Sequence, residues 1–503
     1  MYTVSYTKRR TFPTIALALL VLLSALLIRL YPVESESFAN DAIMSQMAAQ
    51  KGFTANAMDR GDILSERRGH PPLLAYIIIL NNRVFGSGPF SARLFSIIAG
   101  SLSCLAVFLA VALLTQGLHR RLIGALFGGW MVCFLPVHLY ASRSSNWDAV
   151  YSLLALCSLI FVSRYIARGS RTHLVTAGVC AALAFLTCEI GLLLIPAFAV
   201  AFYFDIRRNP IGMVVRDWLC LAILVIAIVL FLWPAGILKF DIASTIRFRL
   251  YDSAIAKRNL PWFMFYIELY RQAPAFTIMA VFGIVSFLLM PFFQHGSSDR
   301  QKHGHASTFR TLLPFAVYIV SAFVVSLKNT LVWVHHITDM LPPLAVLFSV
   351  SIVIAAQALY RTGRIILLAA CLTALAFSIP PAMTDDPDIV GPQEHPGFLG
   401  IADYFEDLPD ARIYYYYADL MAYYLPQARF EGTPPRHWTA EKIQHVTETA
   451  YDYVVSDWSM VGAEYPDIFT ISIALRPRYR LAHTVMHRRT GRPVAWIFSR
   501  SHN

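Results

Sequence analysis

Three carboxylates in this sequence stand next to long apolar segments. Glu36 and Asp41 follow the first apolar segment, and Asp148 opens the fourth. A carboxylate held near a bilayer surface can take a proton from a hydroxyl group or bind a divalent cation. Each has a structural interpretation as well, since loops carry solvated acids and an acid at a helix N-terminus interacts with the helix dipole. The three are candidate catalytic residues, with Asp148 and Glu36 as candidate metal ligands.

Other ionisable residues lie at the ends of later apolar segments. Glu189 follows Cys188 between two short segments, where a charge facing lipid costs about 3 kcal/mol, so we expect it to line a cavity or reach the interface. His335 and His336 precede Asp339 by about one helical turn. Because the histidine pair lacks HExxH spacing, we favour packing or substrate contact for it over metal binding.

A dense cationic group follows the seventh apolar segment. Its members are Lys239, Arg247, Arg249, Lys257 and Arg258. Guanidinium groups bind phosphate oxygens through paired hydrogen bonds, which suits the phosphate of a lipid-linked ligand. Contact with anionic lipid head groups is the alternative interpretation.

The composition is that of an integral membrane protein. Of the 503 residues, 57% are hydrophobic and only 15% are charged, against about 25% charged in soluble domains. The net charge of +11 is spread over short clusters between apolar segments and forms no continuous stripe, which argues against nucleic acid as a partner. The seven cysteines lie within or at the ends of apolar segments, so they predict no disulfide or zinc framework.

About eleven helical spans are predicted. A span needs roughly 20 apolar residues, and the first one has a basic flank without a cleavage pattern, so it is expected to remain uncleaved. Basic loops at every second connection place the N-terminus in the cytoplasm. The predicted spans are 14–31, 92–115, 121–140, 149–167, 173–187, 189–205, 215–237, 266–293, 310–327, 333–358 and 364–383.

The same alternation places two large segments on the outer side of the membrane. The transmembrane domain is predicted to comprise 1–384, and its long first loop, 31–90, lies on the outer side. The other outer segment is everything after residue 384. Residues 385–503 have soluble composition, with helix-like stretches (398–408, 440–450) between strand-like ones (412–417, 451–456, 480–487, 494–499). We therefore expect a small α/β domain outside the membrane.

The order of several short motifs resembles the GT-C membrane glycosyltransferases, in the branch of the protein O-mannosyltransferases and the lipid A aminoarabinose transferases. The resemblance covers the membrane part and is strongest over about 30–200. Glu36-Ser37 stands where the family has its Asp-Glu pair, with Asp41 as the residue that can substitute for the second acid. The matching stretches are Glu36 to Met47, His70-Pro71-Pro72-Leu73, Phe85-Gly86, Arg93-Leu94-Phe95-Ser96, Asp148, Ala184-Phe185-Leu186-Thr187, Trp233-Pro234 and His336 to Pro343.

The resemblance implies an inverting transferase that moves a sugar from a polyprenyl-phosphate donor to an outer lipid, glycan or protein acceptor. Nucleotide sugars do not cross membranes, so an outward-facing transferase needs a lipid-linked donor. Glu36, or else Asp41, would be the general base, and Asp148 would bind a divalent cation or orient the acceptor. The candidates for binding the donor phosphate or substrate are His70, Arg93, Arg247, Arg249, Lys257, Arg258, Glu189, His335 and His336.

Two other functions stay open at this point. A transporter or flippase for a lipid-linked substrate would place ionisable groups near the bilayer midplane, often in two related halves, whereas here they lie at outer span ends. A catalytically silent scaffold would keep the architecture without a second acid. The expected location is a bacterial inner membrane, with membrane lipids as neighbours and the C-terminal domain in the periplasm. Analogy with the family suggests that this domain covers the outer cavity or binds the acceptor.

Overall fold

The computed structural model describes thirteen stretches of the chain. They are 4–30, 71–86, 89–116, 121–143, 147–233, 274–289, 299–328, 338–358, 397–418, 427–432, 438–457, 464–486 and 493–501, with Met421, Leu425 and Met460 between them. They fall into two compact units, one with the described residues up to 358 and the other with those from 397 onwards.

The first unit is helical throughout its described residues. Its helices are α1 (Val4–Leu30), α2 (Leu73–Phe85), α3 (Pro89–Leu114), α4 (Arg121–Cys133), α5 (Pro136–Arg143), α6 (Asp148–Arg168), α7 (Arg171–Thr187), a 3-10 helix (Glu189–Leu194), α8 (Ile195–Ile206), α9 (Ile211–Leu232), α10 (Pro274–Leu289), α11 (Asp299–Lys328) and α12 (Leu341–Ala358).

Six membrane-spanning helices can be recognised by length and hydropathy within the described residues, or seven if the pair α4 and α5, bent by 60°, counts as one. Shorter apolar helices cover the predicted spans near 173–187, 266–293 and 333–358. The predicted span 364–383 lies outside the described residues. The polytopic helical architecture is confirmed.

One helix was not predicted. The segment 31–90 was predicted only as a long outer loop, yet Leu73–Phe85 forms the apolar helix α2 within it. Thirteen residues are fewer than the roughly 20 that a membrane span needs. Pro71-Pro72 is typical of a loop, although a proline before or in the first turn is compatible with a helix. The hydroxyl of Tyr76 donates to the carbonyl of Leu232 at 2.8 Å, which ties α2 to the end of α9.

Close approach of helices depends on small residues in α4. A Cβ atom on Gly124 would lie 2.1 Å from Val353 of α12, and one on Gly128 would lie 2.6 Å from the Ser349 hydroxyl. A Cβ atom on Gly129 would meet α1 and α3 at 3.0 and 3.2 Å. Lipid supplies no hydrophobic force between helices, so this dispersion contact is what holds them together.

A buried arginine fixes the C-terminal end of α1. Arg29 is fully buried and donates to Nδ1 of His138 at 2.8 Å and to the carbonyl of Ala25 at 3.1 Å. Arg143 donates to the carbonyl of Ile28 at 2.6 Å. Two cationic side chains thereby join α1 to α5 at the point where the chain enters the first loop.

The second unit is a small α/β domain, as predicted. Its five strands have the order β2-β1-β3-β5-β4, in which β1 is parallel to β2 and β3, and β5 is antiparallel to β3 and β4. The strands are β1 (Arg412–Tyr414), β2 (Arg429–Glu431), β3 (Tyr453–Asp457), β4 (Tyr479–Met486) and β5 (Pro493–Arg500), with helices α13 (Phe398–Phe405), α14 (Ala440–Thr449) and α15 (Ile468–Leu475).

Two of these elements were not predicted. Strand β2 has only three residues, and α15 has the sequence IFTISIAL, whose β-branched residues favour a strand. The Asp467 side chain accepts a hydrogen bond from the backbone N–H of Thr470 at 2.7 Å, and this N-cap starts the helix despite its low propensity.

Polar groups are buried where β1 and β3 end. The Tyr415 hydroxyl donates to Asp457, and the indole N–H of Trp438 donates to the Ser456 hydroxyl at 2.9 Å. The Lys442 ammonium lies 5.4 Å from the centre of the Tyr416 ring. Burial lowers the pKa of Lys442 to about 8.

This buried lysine predicts a pH-dependent stability of the second unit. The unfolded chain keeps Lys442 protonated to pH 10.5, but the folded unit only to about 8. The unfolded state therefore holds more protons between those values, and stability rises with pH from about 8 to 10. Lys442→Met should slow hydrogen exchange of β3 at least tenfold at pH 7, with a smaller difference at pH 9.5.

Arg429→Met is the matched control, because Arg429 is an exposed cation of the same unit. Its exchange should follow the unaltered protein at both pH values. A Lys442→Met effect of equal size at pH 7 and pH 9.5 would contradict the assignment of the pH dependence to this ammonium group.

Candidate functional site

The N-terminal turn of α6 presents three polar side chains on one face. Asp148 is the first residue of the helix and is only 3% exposed, and Tyr151 and Ser152 follow three and four positions later. Residues at this spacing are neighbours on a helix surface. The positive end of the helix dipole stabilises the ionised form of a carboxylate here.

Tyr151 connects α6 to two other elements through its hydroxyl group. That oxygen lies 3.1 Å from the Ile190 carbonyl in the 3-10 helix and 3.1 Å from the Tyr318 hydroxyl in α11. Tyr318 in turn donates to the Asp339 carboxylate at 2.9 Å, just before α12. All three side chains are buried, and we call Tyr151, Tyr318 and Asp339 the tyrosine–aspartate network.

Ser152 adds a second link between the same helices. Its hydroxyl donates to the carbonyl of Thr338, the residue before Asp339, at 3.2 Å. The two links hold the start of α6 against the turn that precedes α12. Asp148 and Asp339 are therefore brought to the same end of the helical bundle, although 191 positions separate them in the sequence.

Glu189 lies at this end as well. It opens the 3-10 helix and is partly exposed, with the Cys188 thiol 3.6 Å from its carboxylate. A Cβ atom on Gly191 would lie 2.6 Å from the backbone of Phe185, so glycine is required for the chain to turn from α7 into the 3-10 helix. We call the shared region of Asp148, Glu189 and Asp339 the carboxylate end of the bundle.

An apolar groove starts beside Glu189. It has a volume of about 460 Å³ and runs from the 3-10 helix along α9, between α7 and α8. From Trp218 to Leu230 it follows twelve positions of α9, which is roughly 18 Å of helix. The lining residues are Gly178, Ala181, Ala182, Phe185, Gly191, Leu192, Leu194, Ile195, Phe198, Trp218, Leu221, Ala222, Val225, Ile226, Val229 and Leu230.

The predicted site residues divide into two sets. Asp148, Glu189 and Arg93 are described. Asp148 and Glu189 lie at the carboxylate end, and Arg93 lies in the second turn of α3 and is only 2% exposed. Nine others lie outside the described residues and remain predictions: Glu36, Asp41, His70, Arg247, Arg249, Lys257, Arg258, His335 and His336.

The tyrosine–aspartate network was not predicted from sequence. Tyr151 and Tyr318 stand within apolar runs, where a tyrosine usually signals only packing or the interface. The available signal was the hydroxyl group itself, because a polar atom in a span must find a partner inside the protein. Asp339 lies near the start of a span, so its carboxylate was also expected to need a partner inside the protein.

A divalent cation would need ligands from more than one segment. Within the described ranges no cluster of three or more His, Cys, Asp or Glu side chains could hold a metal ion. Asp148 can supply one carboxylate from a buried and dipole-stabilised position. The rest of the coordination would have to come from residues such as Glu36, outside those ranges.

The network predicts a measurable loss of stability in Tyr318→Phe. The substitution removes the hydroxyl that donates to buried Asp339, and a buried carboxylate left without that bond costs about 2 kcal/mol. We expect a clear decrease in the melting temperature of the purified full-length protein in detergent.

Tyr203→Phe is the matched control, since Tyr203 is an exposed tyrosine of α8. Its melting temperature should stay that of the unaltered protein. Equal melting temperatures for the two variants would show that the Tyr318–Asp339 hydrogen bond contributes nothing to the fold.

Known proteins share this architecture. Residues 69–234 match the family model described as dolichyl-phosphate-mannose-protein mannosyltransferase. A comparison with curated proteins finds no match. The crystal structure of ArnT from Cupriavidus metallidurans in the apo state has a TM-score of 0.56 and 14% identity, and the alignment covers 98% of each chain.

A second ArnT structure from the same organism, bound to undecaprenyl phosphate, has a TM-score of 0.56 and 15% identity over 97% of each chain. At such identities the likeness establishes the fold. The chain therefore has the GT-C fold, and its resemblance to the mannosyltransferase and ArnT branch of the GT-C glycosyltransferases is confirmed.

Proposed function

We propose that this protein is an inverting membrane glycosyltransferase that moves a sugar from a polyprenyl-phosphate donor to an acceptor outside the cytoplasm. One observation carries the proposal: an apolar groove reaches the end of a GT-C bundle where Asp148, Glu189 and Asp339 lie. A lipid-linked donor needs this combination, because its tail must stay in an apolar environment while its sugar reacts in a polar one.

The groove suits the tail of such a donor. Its lining is apolar and aromatic along most of α9. One end of the groove is formed by Gly191 and Leu192, and Gly191 follows Glu189 by two positions in the sequence. A tail in the groove would hold its phosphate beside the carboxylate end. The ArnT structure with undecaprenyl phosphate supports a ligand of this class.

The donor phosphate requires cations at the same end. The proposed ligands are the arginines and histidines named from sequence, Arg93 among them. Guanidinium groups bind phosphate oxygens through paired hydrogen bonds and neutralise the charge that develops on the leaving phosphate. Polyprenyl phosphate is then a good leaving group without protonation, so the protein's main work is positioning.

The proposed reaction is a single displacement at the anomeric carbon. Glu36, or Asp41 in its place, takes the proton of the acceptor hydroxyl, whose oxygen forms a bond to the anomeric carbon. The bond from that carbon to the phosphate oxygen breaks on the opposite face, and its electron pair leaves with polyprenyl phosphate. Attack from the face opposite the leaving group inverts the configuration.

Asp148 and the tyrosine–aspartate network have a supporting role in this proposal. Asp148 orients the acceptor or supplies one ligand to a divalent cation, which would bind phosphate oxygens when present. Tyr151 and Ser152 hold the first turn of α6 in place, and they thereby fix the position of the Asp148 carboxylate.

The sidedness and the substrates belong to the same proposal. We place the N-terminus in the cytoplasm, the carboxylate end and the C-terminal unit in the periplasm, and the protein in a bacterial inner membrane. The acceptor is a lipid such as lipid A, another glycan or a protein. The competing functions are translocation of a lipid-linked substrate and a silent scaffold. An assay of the purified protein with a panel of polyprenyl-phosphate sugars separates them, because sugar transfer identifies the enzyme and translocation without transfer identifies a carrier.

Glu36→Gln should abolish sugar transfer in that assay, with at least a hundredfold loss in rate. The amide cannot accept the acceptor proton but has almost the same size, so insertion into the membrane should be unchanged. Asp41→Asn tests the alternative base in parallel. Unchanged transfer in Glu36→Gln together with loss in Asp41→Asn would move the base to Asp41, and unchanged transfer in both would remove the proposed mechanism.

Asp148→Asn should lower transfer and change its response to chelation. If Asp148 holds a divalent cation, then EDTA should inhibit the unaltered protein, and Asp148→Asn should need a higher Mg²⁺ or Mn²⁺ concentration for half-maximal rate. If Asp148 orients the acceptor, then EDTA should have no effect and KM for the acceptor should rise. Full activity of Asp148→Asn under both conditions would exclude either role.

A further inference from the structure

A dense group of arginines lies at the end of the bundle opposite the carboxylate end. Helix α6 ends and α7 begins there, and α8 ends and α9 begins beside them. The two connections are joined, because Arg171 pairs with Asp217 at 2.7 Å and Arg208 donates to the Ile166 carbonyl. We call this region the basic end; its cations are Arg164, Arg168, Arg171, Arg207, Arg208 and Arg216.

The two aspartates of the basic end do not balance these charges. Asp205 is buried and accepts hydrogen bonds from Tyr165, Asn209 at 2.7 Å and the Trp218 indole at 2.9 Å. Asp217 is shared by Arg171 and Arg216. Six guanidinium groups therefore stand against two carboxylates, and one of those is enclosed by neutral donors.

Three of these arginines are exposed beside apolar side chains at the helix ends. Arg168, Arg207 and Arg208 are exposed, and the Arg207 guanidinium lies 5.3 Å from the centre of the exposed Tyr203 ring. Next to them on α8 and α9 are exposed apolar side chains, Ile206 at 39% and Ile211 at 66% exposed. Cations and a tyrosine beside lipid-facing apolar residues are typical of the head-group region.

Repulsion among the cations favours a bound anion. Arg164 and Arg168 are one turn apart on α6, and both interact electrostatically with His173 of α7. Like charges at this spacing destabilise each other. An anionic group placed between α6 and α8 would relieve this repulsion and bind several guanidinium groups at once.

We propose that the basic end is a binding site for the head group of an anionic phospholipid, centred on Arg168 and Arg207. The phosphate contacts the guanidinium groups, while the acyl chains lie along the exposed apolar faces of α8 and α9. This inference concerns the end of the bundle opposite the carboxylates and holds whether or not the protein transfers sugars. Each arginine near a membrane surface contributes about 1 kcal/mol, or roughly fivefold in affinity.

Native mass spectrometry of the full-length protein in detergent can test this site, with phosphatidylglycerol and phosphatidylcholine of identical chains as probes. The unaltered protein should retain phosphatidylglycerol preferentially. Arg207→Gln should weaken that binding roughly fivefold, and the double variant Arg168→Gln/Arg207→Gln about thirtyfold. Phosphatidylcholine binding should be unchanged in every variant.

Arg83→Gln is the matched control, because Arg83 is an exposed arginine of α2 outside the basic end. It should leave phosphatidylglycerol binding unaltered, and the melting temperatures show whether each variant is folded. Equal retention of the two lipids by the unaltered protein would overturn the proposal, as would full preference in the folded double variant.

Discussion

The structure depends on the absence of water from the hydrocarbon core. Any polar atom in a span must find a partner within the protein, since an unsatisfied group there costs several kcal/mol. The links between helices in the first unit are of this kind: Arg29 with His138, Tyr151 with Tyr318, Tyr318 with Asp339, and Tyr165 with Asp205. These bonds act together with the close packing at Gly124 and Gly128 to fix how the helices sit against one another.

The same constraint separates the molecule into two chemically different ends. Carboxylates gather where α6, the 3-10 helix and α12 begin, and arginines gather where α6 and α8 end. Between them lies an apolar groove that a lipid chain could enter sideways. The described carboxylates and the basic end are thus separated along the helices by apolar side chains, as expected for a helical unit whose two ends meet water.

Much of this arrangement could be predicted from the sequence, because long apolar segments and basic loops report directly on the membrane. The polytopic architecture followed from those signals, and the α/β unit followed from the soluble composition of 385–503 and its helix-like and strand-like stretches. Helix α2 did not, because it is short and follows Pro71-Pro72, and α15 did not, because its N-cap outweighs its strand-like composition. The pairing of Tyr151 with Tyr318 could not be predicted either, since 167 positions separate them and only tertiary packing brings them together.

The central claim is that Glu36 and the first turn of α6 share one aqueous compartment, while the basic end faces the other. Membrane-impermeant thiol labelling tests this most directly, with Glu36→Cys, Ser145→Cys and Arg207→Cys introduced singly into a variant without the seven native cysteines. In intact cells the first two should react, and Arg207→Cys should react only after permeabilisation. Labelling of Glu36→Cys and Ser145→Cys from opposite sides would contradict the account, because the two could not then serve one reaction centre.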